Sequence, residues 1–77
     1  MAATITHTIQ QKLAVLSAQG ETQKLLTVTA WNGNAGKLDL RAWRTEGGEL
    51  RPNKGITLTD DEAQTLLEAL QAYFSKK

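Results

Sequence analysis

The sequence predicts an α+β domain, a four-stranded antiparallel meander followed by one C-terminal α-helix (β-β-β-β-α), expected to be homodimeric. Three observations predict it. Apolar and polar side chains alternate through Lys24 to Trp31 and again through Lys37 to Trp43, the period of a half-buried strand. Glycine- and asparagine-rich segments separate such tracts, as hairpins require. Thr59, followed three residues later by Glu62, then opens a run of apolar residues at helical spacing. The 77 residues read as one domain, 1–77, without linker, internal repeat or low-complexity segment.

The first strand is expected from about Thr4 to Ser17, where Thr, Ile, Val and Leu concentrate and Ile9, Leu13 and Val15 share one parity. Gln11 breaks that parity, which implies either a bulge or a later strand start. Ala18 to Thr22, centred on Gly20, is a turn. In the second strand, Leu26, Val28 and Ala30 lie on one face and Leu25, Thr27, Thr29 and Trp31 on the other. Asn32, Gly33, Asn34 and Gly36 tolerate positive φ and lead by a hairpin into the third strand. There Leu38, Leu40 and Ala42 oppose Lys37, Asp39, Arg41 and Trp43. The paired glycines and sole proline of RTEGGELRPN predict a longer loop, leaving Lys54 to Leu58 as a short fourth strand. Asp60 and Asp61 suit the positive end of a helix dipole. Ala63, Leu66, Leu67, Leu70, Tyr73 and Phe74 form its apolar stripe. The expected packing places this helix over the aliphatic face of the sheet and leaves the other face open to water.

Composition narrows the function. No cysteine supplies a disulfide or a thiolate zinc site, and the single His7 makes no metal site alone. So small a chain buries a limited core, and oligomerisation is the remaining common supplement, hence the expected homodimer. No apolar run approaches the roughly 20 residues that span a bilayer, and no signal-peptide core is present, so no membrane contact and a cytoplasmic location are expected. Residues 1 to 59 carry Lys12, Lys24, Lys37, Arg41, Arg44, Arg51 and Lys54 against Glu21, Asp39, Glu46 and Glu49, a balance of +3. Residues 60 to 77 balance at −2. Positive charge thus belongs to the strands.

A sheet face with cations and large rings suits a flexible polyanion whose bases can be splayed and stacked. Trp31 and Trp43 are the candidate stacking platforms, although either ring would also suit a core or a dimer interface. Arg41 and Lys37 share the face of Trp43 and can reach phosphates, unless Arg41 is held by Asp39 or a cross-strand acid. Lys24, Arg44, Arg51 and Lys54 extend the electrostatic track, with Arg44 and Arg51 ranked lower because they fall in the expected loop, and Lys12 lowest. Asn32 beside Gly33 reads as a turn residue. Glu46 and Glu49 lie in a glycine-rich stretch with no pocket-forming sequence, the glycines match no phosphate-binding loop, and His7 with Thr8 or Ser17 forms no nucleophile arrangement. No catalytic residue, cofactor or small-molecule substrate is therefore expected. A protein-interaction module that docks a peptide on the exposed sheet face is the rival reading.

The run DLRAW (Asp39–Trp43), a Gly-Glu segment, Pro52, then NKGITLT (Asn53–Thr59) and an acidic helix start resembles the C-terminal domain of the transcriptional coactivator positive cofactor four. Its short bacterial relatives are more similar still, with a KLAVLS-like first strand (Lys12–Ser17) and a second strand ending in Trp31 and Asn32. The resemblance covers roughly Lys12 to Leu70. It implies a dimerising β-β-β-β-α protomer, with helices and sheet edges in the interface, that binds single-stranded DNA on curved sheets with little sequence preference. It also implies a stacking role for Trp31 and basic contacts from Arg41 and Lys54. The coactivator has two successive aromatics where this chain has Trp43 then Arg44, so the second stacking position stays open. The eukaryotic coactivator's serine-rich and acidic N-terminal region has no counterpart here, so the resemblance implies strand binding rather than coactivation. Stacking and phosphate contacts do not report a 2′-hydroxyl. Single-stranded DNA is the expected partner, and RNA the alternative.

Overall fold

A computed structural model describes residues 6–76. Strands β1 (His7–Gln19), β2 (Thr22–Trp31), β3 (Lys37–Glu46) and β4 (Glu49–Leu58) precede helix α1 (Asp60–Ser75). The sheet order is β1-β2-β3-β4, each strand pairing antiparallel with its sequence neighbours. Thr4 and Ile5, expected in the first strand, lie outside the described residues.

The break in parity at Gln11 is a bulge, and two more follow it. Register shifts at Ile9/Gln11, Lys12/Ala14 and Val15/Ser17 set the 13 residues of β1 against the 10 of β2. Each shift inserts one residue on β1, and each insertion bends the strand and raises its twist. Strand β1 therefore travels the longer outer path of a coiled sheet.

The expected loop from Arg44 to Asn53 is not a loop. β3 and β4 run on to a two-residue turn in which Gly47 (φ 60) and Gly48 (φ 82) both have positive φ, as a type I′ hairpin requires. Pro52 was the signal against a strand, but β4 is the outer strand of the sheet, where a missing N–H can face outward without costing a ladder bond. Between β2 and β3, Asn32 (φ 52) is a turn residue tied at both ends to Thr6. Its N–H donates to the Thr6 carbonyl at 2.9 Å, and its Oδ1 accepts from the Thr6 N–H at 3.0 Å.

The capping box forms as its residues predict. Thr59 Oγ1 accepts from the Glu62 N–H at 3.1 Å, and Glu62 Oε1 accepts from the Thr59 N–H at 2.8 Å. The helix it starts does not cover the aliphatic face as expected. It packs mainly against β3 and β4, and none of its described residues is buried. Ala63, Leu66, Leu67 and Leu70 stand against Leu26, Leu38 and Leu58 around an apolar cleft of ≈ 180 Å³. Ile56 stays 54% exposed and Phe74 61%.

The fully buried side chains are instead on the face expected to be open: Leu25, Thr27, Thr29, Asp39 and Trp43 are each 0% exposed, while on the aliphatic face Ala30 alone among the described residues is buried, at 8%. Curvature explains the reversal. Trp43 pairs with Gln23, eight positions before Trp31, a span of about 26 Å in a flat strand. Their ring centroids are nevertheless 6.1 Å apart. The face carrying both rings is thus concave, folded diagonally until the end of β2 meets the middle of β3. Alternation assigns residues to faces but carries no information about which face the sheet closes upon.

Candidate nucleic-acid interface

At the centre of the concave face, Trp31 lies nearly parallel to Trp43 (interplanar angle 11°), with the Arg41 guanidinium carbon 4.8 Å from its ring centroid. His7, opposite Trp31 in the β1–β2 register, reaches both rings, at 5.9 Å from Trp31 and 5.2 Å from Trp43. The Nε1 atoms of both indoles are buried without a hydrogen-bond partner among the described residues.

A buried carboxylate fixes Arg41. Asp39 Oδ2 accepts from Arg41 Nε at 2.9 Å and Asp39 Oδ1 from Nη2 at 2.9 Å, a bidentate pair. Thr57 Oγ1 donates to the same Oδ1 at 3.0 Å, and Arg41 Nη1 donates to the Asn53 carbonyl at 2.9 Å. The Arg41 side chain is only 17% exposed. Gly55, its register partner, permits this closeness: a Cβ there would lie 2.5 Å from Arg41 Cα. Of five guanidinium donors, three are engaged, which leaves two N–H groups without a partner among the described residues.

The expected site residues divide between two surfaces. Trp31, half-buried, shares a cleft of ≈ 340 Å³ with Lys37, Asn34, Ala35 and Thr57. Trp31, Lys37 and Arg41 therefore come together, and Lys37 is exposed. Trp43 does not present its ring to solvent; it lies beneath this group as core. Lys24 and Lys54 line a different cleft, of ≈ 250 Å³, with Leu40, Ala42 and Ile56. Register places Lys24 opposite Ala42, on the aliphatic face. Arg44 shares that parity and stands directly opposite Arg51. Both are exposed, and facing like charges destabilise a strand pair, a cost that a bound phosphate would relieve. Two residues of the Trp31 cluster escaped sequence reasoning. The sequence suggests Asp39 only as a counter-ion to Arg41 and gives His7 neither a metal nor a nucleophile role, yet one holds Arg41 and the other touches both indoles.

A model of the family described as Transcriptional Coactivator p15 (PC4) matches residues 19–69. The chain belongs to this family. The p15 coactivators are DNA-binding proteins, and the matched span holds Trp31, Lys37, Asp39, Arg41, Trp43 and Lys54, whereas His7 lies before it. No curated protein matches the chain. Among the described residues no group of three or more His, Cys, Asp or Glu is placed to hold a metal, and no helix is long and apolar enough to cross a membrane.

Proposed function

We propose that the protein is a non-catalytic, weakly sequence-selective single-stranded DNA-binding homodimer that serves transcription or DNA maintenance in the cytoplasm. The observation that carries this reading is Trp31, half-buried and braced by Arg41 and Trp43, with exposed Lys37 in the same cleft. A ring held in place stacks on any base, and adjacent cations neutralise the backbone, so affinity is largely indifferent to sequence and falls with salt. Lys24, Arg44 and Lys54 add positive field from the opposite face. Titrating the intrinsic tryptophan fluorescence with oligo-dT at low salt is expected to give saturable quenching. Trp31→Ala is expected to weaken binding by about 1–3 kcal/mol while the fold survives. A folded protein that shows no affinity for oligo-dT would sink the proposal. Parallel titrations with oligo-U and duplex DNA decide between DNA and RNA as the strand.

The homodimer rests on apolar surface. Leu13, Val15, Leu16, Ile56, Leu66, Leu67, Leu70, Tyr73 and Phe74 are all exposed in the single chain, and a large exposed apolar surface marks an interaction site. A second copy covering it supplements a core too small for this chain length. Light scattering at micromolar concentration is expected to give twice the chain mass of 8.4 kDa. A stable folded monomer at that concentration refutes this assembly.

A further inference from the structure

The coiling of the sheet brings its two outer strands towards each other. The start of β1 and the start of β4 border an open cleft of ≈ 800 Å³ lined by His7, Ile9, Glu49, Leu50, Arg51 and Pro52, a volume within the range of small-ligand clefts. We propose that this cleft is a second nucleobase subsite, joined to the Trp31 site by His7; the inference rests on the single-strand-binding reading above.

Three observations select this occupant. The cleft is poorly suited to an added β-strand, because Pro52 has no N–H to donate and β1 is bulged from Ile9 onward. A peptide docking by strand pairing is thereby disfavoured. The walls are those a flat heterocycle requires: the apolar Ile9, Leu50 and Pro52, and an imidazole ring already in contact with both indoles. The buried Nε1 of Trp31 has no acceptor among the described residues. Buried donors normally find one, and base carbonyls and sugar or phosphate oxygens are acceptors. Glu49 at the mouth repels phosphate. Its 4.0 Å pairing with Arg51 joins two largely exposed side chains and is weak.

The strand would then pass from Lys37 and Trp31, across His7, to Pro52. The deciding experiment is a nuclear magnetic resonance titration of the labelled wild-type protein with oligo-dT. The His7 imidazole and the Ile9 and Leu50 methyl signals are expected to shift along with the Trp31 indole. Shifts at Trp31 and Lys37 that leave His7, Ile9 and Leu50 unmoved overturn this inference and leave single-strand binding intact. Absence of any shift in folded protein overturns both. His7→Ala is expected to weaken oligo-dT binding roughly tenfold and to reduce the length of strand occupied, with His7→Phe restoring most of each. Affinity and occupied length that match wild type in folded His7→Ala would also overturn it. If that variant does not fold, the wild-type titration decides alone.

Discussion

Replacing Trp43 with alanine is expected to remove about 3–5 kcal/mol of folding stability, the usual cost of deleting a buried aromatic side chain. The ring is 0% exposed and packs against Trp31 and His7. At about 0.05–0.15 kcal/mol per residue, a domain of this size has roughly 4–12 kcal/mol in total, so the variant should be largely unfolded or melt far below wild type. Urea denaturation followed by far-ultraviolet circular dichroism measures the loss without relying on the deleted fluorophore. A dimer's stability depends on concentration, so both proteins must be compared at the same one. Trp43→Phe keeps an aromatic body and should recover part of the loss. The contrast with Trp31 is the informative part: Trp31→Ala acts on affinity, Trp43→Ala on the fold. If Trp43→Ala kept its stability and lost only strand affinity, Trp43 would be a presented stacking platform and not the floor of the site.

Local periodicity made the element order readable, because strand alternation, glycine turns and a capping box are encoded within a few residues. The sequence around Thr59 and Glu62 contains both halves of the cap, and both form. Reading failed where a residue's meaning depends on neighbours distant in sequence. Gly47, Gly48 and Pro52 look like loop residues until β4 is known to be an outer strand, where a proline is tolerated. His7, Trp31 and Trp43 meet only because the sheet coils diagonally, and no local pattern announces that meeting. The same coiling buries Asp39, which alternation had placed on a solvated face. The pairing of Asp39 with Arg41 two residues on was legible as one option for the arginine; its burial was not.

Asp39→Ala is expected to cost about 3–5 kcal/mol, the penalty for removing one partner of a buried ion pair. The change leaves Arg41 Nε and Nη2 and the Thr57 hydroxyl without their acceptor. Arg41→Ala should cost a comparable amount by stranding a fully buried carboxylate. The double variant should lose much less than the sum, and a double-mutant cycle in urea denaturation measures that coupling. Asp39→Asn separates structure from binding. In the wild type, the Asp39 charge offsets that of Arg41, so a strand passing Trp31 meets a guanidinium that is positioned but nearly neutralised. Asparagine keeps the shape and removes the negative charge, so stability should fall while the site gains an uncompensated cation. The slope of log affinity against log salt for single strands should then steepen by up to about 0.7, one further phosphate neutralised. An unchanged slope in folded Asp39→Asn, with the stability loss present, would make Arg41 a brace for Trp31 that never meets the strand. A steeper slope would make Asp39 the residue that holds the arginine on the ring and limits its pull on the backbone, consistent with a site in which stacking outweighs charge.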